Sequence, residues 1–164
     1  MKNSKEIDIA QKLIRCKSIA PNSDSALKIV EKECKSIGFK CTKLKFSEKG
    51  FDTISNIYAE IGEGKPHFSF AGHVDVVPAN KKDWPVDPFK GIIKNNSLWG
   101  RGAVDMKSAV ACFLSASRNY LEENKNFKGK ISLLITGDEE QYAKNGTIKI
   151  LKWIKKKELK SIIA

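Results

Sequence analysis

The run HFSFAGHVDVV, His67 to Val77, is long enough for one β-strand and almost unbroken in apolar character. A strand that does not alternate in polarity reads as buried on both faces, in the middle of a sheet with a layer on each side. That requirement points to an α/β architecture, with helices laid over a sheet. The same run carries His73 and Asp75. Burying a polar group without a partner costs roughly 2–7 kcal/mol, and an unpaired charge costs more, so the two need a partner. Asp75 lies two residues beyond His73, which on an ideal strand puts both side chains on one face.

The surrounding sequence supplies the layers. From Ser4 to about Cys16, Ile7, Ile9, Ala10, Leu13 and Ile14 recur at three- and four-residue steps, and the pattern returns from Ser25 to Gly38 after a Pro21-Asn22-Ser23-Asp24 start signal. Both stretches read as amphipathic helices, the second stopping at Gly38. KCTKLKF and SNIYAEIG alternate as strands do, and GIIKNNSLWGRG reads as a hairpin turning at Asn95-Asn96. A helix from about Asp105 to Glu122 and a buried strand in KISLLITGDEE follow. The pattern predicts one α/β domain, a mixed sheet flanked by helices, without internal repeats or linkers.

Charge and cysteine usage narrow the function classes. The formal net charge is +11, from 30 Lys and Arg against 19 Asp and Glu. The lysines are scattered, and their densest cluster, KILKWIKKKELK, spaces Ile150, Leu151 and Ile154 as a helix with a solvated face would. No interleaved aromatic platform accompanies it, so no nucleic-acid partner is expected; the basic surface suits attraction of an anionic small molecule. Cys16, Cys34, Cys41 and Cys112 show no CxxC spacing, and MKNSKEIDIA is too polar for a signal peptide. Reduced thiols, a cytoplasmic location and no membrane contact are the expectation, since no apolar run approaches the ~20 residues of a membrane-spanning helix.

Open α/β sheets place ligands at the carboxyl ends of their strands. Asp75 is expected to close one strand, Asp105 to follow the GRGAVD loop, and Asp138-Glu139-Glu140 to close another. A metal ion explains the imidazole and carboxylates there, because it supplies the missing positive charge. His73 can ligate it directly, Asp75 can hold the second ring nitrogen of His73, and Asp105 can be a further ligand. Adjacent Glu139 and Glu140 repel unless their roles differ, one charged against a cation and the other cycling a proton. That is the division of labour of a metallohydrolase. Bland roles suit the rest: Pro85 and Pro88 stiffen a loop, Trp84 and Phe89 cover the core, Gly100 and Gly102 let the backbone approach the metal site, and Met106 and Lys107 begin a helix without chemistry.

FAGHVDVVP, DWPVDPFKG, LWGRGAVDMKSAVACFL and LLITGDEEQYAKNGTIKILKWI, in that order, resemble the co-catalytic di-zinc amidohydrolases and exopeptidases that include the aminoacylases. The resemblance implies two Zn2+ ions, or Co2+, with His73 on one, Asp105 bridging both and Glu140 on the second. It implies Glu139 as general base and acid on the bridging water, with Asp75 orienting His73. The implied substrate is a small N-acyl amino acid. The ITGDEEQYAKNGTIKILKW segment tilts this toward the members that cleave N-succinyl-L,L-2,6-diaminopimelate to succinate and L,L-diaminopimelate, while N-acyl-amino-acid deacylases and dipeptidases share the same plan. Complete members are much longer and form homodimers. Residues 1–164 are therefore expected to be a partial catalytic domain, lacking the C-terminal catalytic part with its further ligands and the lid and dimerisation domain. Such a chain is expected to expose a sheet edge and to be inactive alone, and a non-catalytic remnant or binding module on the same fold is the competing reading.

Overall fold

Helix α1 (Lys5–Arg15) and helix α2 (Asp24–Ile37) form where the apolar spacing predicts them. Each turns one stripe inward: Ile9, Ala10, Leu13 and Ile14 on the first, and Ala26, Leu27, Val30 and Cys34 on the second. Gly38 ends α2 with φ of 103°, a left-handed conformation that glycine adopts without steric cost. The computed structural model describes residues 4–163, with side chains described through Glu158. The remaining elements are β1 (Lys40–Glu48), β2 (Phe51–Glu63), β3 (His67–His73), a small hairpin of β4 (Ile92–Lys94) and β5 (Ser97–Trp99), α3 (Ser108–Glu123), β6 (Gly129–Thr136) and α4 (Thr147–Ile163).

Four strands form a mixed sheet in the order β1-β2-β6-β3. β6 runs antiparallel to β2 and parallel to β3, so β3 and β6 end at the same edge of the molecule, with His73 opposite Thr136. Helices α1, α2 and α3 cover one face, where Leu13, Val30, Val110 and Leu114 meet Ile57, Ala59, Leu133 and Ile135. On the other face α4 sets Ile150 against Leu44, Tyr58 and Leu134, with the Trp153 ring edge-on to Tyr58 at 5.6 Å. The α/β class is as expected. None of the helices among the described residues is long and apolar enough to cross a membrane. Asn95 and Asn96 turn the β4–β5 hairpin with φ of 50° and 58°, the left-handed pair that a two-residue type I′ turn requires.

Three local expectations are corrected. β3 is an edge strand, not a central one: among the described residues no strand pairs with its outer side. Phe68 is 64% exposed, although Phe70 stacks on Phe113 at 4.6 Å. An apolar run registers a need for burial without naming the neighbour that supplies it. β3 also ends at His73, so Asp75 sits in the extended segment beyond, where Val76 bridges to Ile19. Finally, α3 begins at Ser108 rather than Asp105, because Asp105 (φ −122°, ψ 102°) and Met106 (φ −134°, ψ 30°) are non-helical. The two sheet edges differ in kind. β1 carries Lys40, Lys43, Lys45 and Glu48, charges that deter edge-to-edge pairing, whereas HFSFAGH contains no Lys, Arg, Asp or Glu.

Candidate metal centre at the strand ends

Because β3 and β6 are parallel, the segments that leave them emerge side by side. His73 is buried at the tip of β3, with Nδ1 3.1 Å from the backbone carbonyl oxygen of Asp75 and 3.5 Å from its Oδ1. Its Nε2 faces outward, 3.0 Å from Asp105 Oδ1 and 3.8 Å from Glu139 Oε2. Asp75 is fully buried, and its Oδ2 accepts hydrogen bonds from the backbone N–H groups of Glu139 and Glu140, each at 2.9 Å. The carboxylate thus holds both the imidazole and the acidic loop. Among the described residues its Oδ1 has no hydrogen-bond partner, and it relies on the imidazole edge.

The acidic loop after β6 is folded from within. Buried Asp138 accepts from the N–H groups of Ala143 at 3.3 Å and Asn145 at 2.8 Å, and Asn145 Nδ2 donates to the Asp52 carbonyl at 2.8 Å. These bonds turn the chain back toward α4 and leave Glu139 and Glu140 at the tip. Asp105 comes from the third segment, the short loop before α3. Gly102 begins that loop with φ of 81°, and a Cβ there would lie 2.7 Å from Val76 Cγ1, so only glycine lets the loop lie against the segment that carries Asp75. Gly100 has a different role from the expected one: a Cβ on it would meet Ile14 Cγ2 at 2.4 Å, so it admits helix α1 rather than the metal site.

One potential ligand atom from each of His73, Asp105 and Glu140 lies within 4.8 Å of the others. The Asp105 and Glu139 side chains are exposed at 72% and 55%, facing outward from the tip. Burial disfavours charge on His73, but the hydrogen bonds and charge of Asp75, with the hydrogen bond of Asp105, outweigh it and raise the imidazole pKa to about 9. Burial raises Glu140 above the ordinary carboxylate range, with Asp105, Glu139 and Asp75 adding to the rise and His73 opposing it. Carboxylates crowded around one imidazole lack positive charge. One nitrogen and two oxygen donors are also a set that divalent zinc accepts.

All five residues singled out from sequence converge here: His73, Asp75, Asp105, Glu139 and Glu140. His67, outside every motif, instead bonds Ser132 Oγ at 2.8 Å at the far end of β3. Trp84 and Phe89 are half-buried, the first under the Arg101 guanidinium at 5.3 Å and the second under the Lys17 ammonium at 5.5 Å. Sequence reasoning missed Ser18 and Lys107. Ser18 is buried and its hydroxyl donates to the Val74 carbonyl at 2.6 Å. Lys107 is fully buried and its ammonium donates to the Cys16 carbonyl at 2.9 Å, with burial lowering its pKa to about 8. A signal was present: Lys107 stands three, four and seven residues before Val110, Ala111 and Leu114, on the buried stripe of α3.

The chain is 52% identical over 146 residues to a succinyl-diaminopimelate desuccinylase of Parvibaculum lavamentivorans, covering 88% of this chain and 36% of that protein. It is 49% identical over 156 residues to the protein of the same name from Pelagibacter ubique, covering 94% of this chain and 41% of the relative. The chain therefore spans well under half the length of these relatives. Among solved structures, an M20 family metallo-carboxypeptidase from Sulfolobus solfataricus superimposes with a TM-score of 0.69 at 26% identity, over 83% of this chain and 31% of that one. Human carnosine dipeptidase 1 shares the fold with a TM-score of 0.73 at 21% identity, over 82% of this chain and 32% of that one. Residues 69–164, more than half of the chain, match peptidase family M20/M25/M40, and the chain belongs to that family.

Proposed function

We propose that the chain is the N-terminal part of the catalytic domain of a metal-dependent amidohydrolase that cleaves N-succinyl-L,L-2,6-diaminopimelate to succinate and L,L-diaminopimelate. The names of the relatives at about half identity support the substrate, and the clustering of His73, Asp105 and Glu140 within 4.8 Å, with Asp75 behind them, is the observation that carries the chemistry. In this reading His73 would hold one zinc ion and Glu140 a second, Asp105 would be shared between them, and cobalt could replace zinc. When bound, the metal lowers the pKa of a coordinated water toward ~7 and polarises the amide carbonyl.

The chain's own residues do the remaining work. Asp75 fixes the orientation of His73 through Nδ1, leaving Nε2 as the ligand atom. Glu139 is anchored by its backbone to Asp75 while its carboxylate stays exposed, free to take a proton from water and return it to the leaving amine. Glu140, half-buried beside it, keeps the ligand role. In this reading the remaining ligands, a lid and homodimer contacts would come from chain beyond the matched region, and the uncharged outer edge of β3 would be the place where the sheet continues. The setting is the cytoplasm, with a small-molecule substrate and no nucleic-acid partner.

Calorimetric titration of zinc into the chain, beside His73→Ala and Asp105→Ala variants whose folding is checked by circular dichroism, tests this. Binding that both substitutions abolish is the expected result. A folded wild-type chain that takes up no zinc overturns the metal assignment and favours a non-catalytic scaffold. Release of succinate by these 164 residues alone overturns the assignment of a partial domain.

A further inference from the structure

Lys107 is fully buried, and a buried ammonium is costly unless its charge and donors are compensated. Among the described residues its ammonium donates one hydrogen bond, to the carbonyl of Cys16 at 2.9 Å. The residue closes the loop that presents Asp105: its backbone N–H donates to the Gly102 carbonyl at 2.9 Å, and its Cδ passes 3.1 Å from where a Cβ on Gly102 would stand. The segment reached by its ammonium is bonded in turn to the strand extension that carries Asp75. Val76 N–H donates to the Ser18 carbonyl at 3.0 Å, and the Ser18 hydroxyl donates to the Val74 carbonyl at 2.6 Å, on either side of Asp75.

We infer that Lys107 is a positioning residue for the metal centre: its buried ammonium fastens the loop bearing Asp105 to the 16–18 segment, which is itself bonded to the strand extension carrying Asp75, and so keeps Asp105 in register with His73. The part of this inference that concerns metal rests on the proposed metal centre, whereas the tie between the loops stands without it. A lysine that merely fills the core would affect the whole domain equally. A positioning lysine acts on two loops and on ligand geometry.

The test compares wild type with Lys107→Met, which removes charge and hydrogen bond, and Lys107→Gln, which removes the charge and retains a donor for the Cys16 carbonyl. Amide hydrogen exchange in the metal-free chain is expected to speed up at least tenfold at residue 107, Ala103 and Val76 in the Met variant, with the amides of β2 and β6 unchanged. Zinc affinity is expected to fall at least tenfold, with partial recovery in the Gln variant. The visible absorption of bound Co2+, which reports ligand geometry, is expected to change as well. Uniformly faster exchange across the domain, or unchanged exchange in the two loops, overturns the inference. If wild type binds neither zinc nor cobalt but the loop amides respond, the metal assignment fails and the tie stands. Should neither variant fold, wild type decides: the Lys107 Nζ resonance is expected to be slow to exchange with water and to move when zinc is added. A resonance that exchanges freely, or does not move in a zinc-saturated chain, overturns the inference.

Discussion

The paired strands β3 and β6 have two unlike regions. In the body of the sheet Leu133 and Ile135 are completely buried in one apolar cluster with Ile57, Leu13 and Leu114. A few residues on, at the strand tips, four carboxylates surround one imidazole, and burial with like-charge repulsion raises Glu140. The body stabilises the fold and asks nothing of the tips. The tips depend on the body for position and return little stability until something positive joins them. Substitutions in the two regions should therefore separate: body changes cost stability without a selective effect on metal binding, and tip changes do the reverse.

The largest effect is expected in the body. Leu133→Ala removes a fully buried side chain from the middle of the sheet, and such truncations cost about 2–5 kcal/mol through lost transfer energy and the cavity left behind. Urea unfolding followed by circular dichroism should show this, while the zinc affinity of the folded fraction stays at the wild-type value. A zinc affinity that falls in step with stability would break the separation.

At the tips, His73→Ala should lower zinc affinity more than a hundredfold, about 2.7 kcal/mol at 1.36 kcal/mol per factor of ten. Asp75→Asn should cost roughly 10–100-fold, since it keeps the hydrogen-bonding shape but removes the charge that orients His73. Equal losses for the two would mean that Asp75 acts as more than an orienting group.

The histidine also sets a pH dependence. Its pKa is about 9 in the metal-free fold against an ordinary 6.5, so the folded state binds the proton more tightly. The stabilisation this gives is fully present below about pH 6.5 and is lost as pH rises through 9. Zinc needs the neutral imidazole, so its affinity should rise over the same window and its binding near pH 7 should release a proton. Calorimetry in buffers of different ionisation enthalpy measures that proton, and its absence would remove His73 from the ligand set.

How much of this was legible beforehand follows the same division. The helices α1 and α2, the Asn95-Asn96 turn and the apolar strand β6 are readable because their signals are local: periodicity, left-handed turn residues and a nearly continuous apolar run. The five acidic and imidazole positions were readable because each follows or interrupts an apolar segment in a fixed order. What escaped depends on partners distant in sequence. The composition of β3 cannot say on which side a neighbour lies, so the run reads as central although the strand lies at an edge. The helix start was misplaced because Asp105 and Met106 are held out of helical geometry in a loop stacked on Val76, and Lys107 was passed over because its acceptor is 91 residues away at Cys16.

The smallest expected effect is the most direct probe of the charge imbalance at the tips. Glu140 is a carboxylate whose pKa is raised in the fold, so its ionisation is penalised there relative to the unfolded chain. The sign of the linkage is that the protonated form favours folding. That contribution is present below the ordinary carboxylate pKa and is lost as pH rises through the folded-state value, leaving a small penalty at pH 7. Glu140→Gln removes the penalty and should stabilise the metal-free chain at pH 7 by less than about 1 kcal/mol, the modest size reflecting solvent screening near the surface. The gain should vanish at pH 3, where the wild-type carboxyl is protonated, and should reverse in saturating zinc, where the charge is an asset. Unfolding midpoints at the two pH values, with and without zinc, measure all three signs. A Gln variant less stable than wild type in every condition would show that Glu140 is held by hydrogen bonds in the fold and that the tips are balanced without a metal.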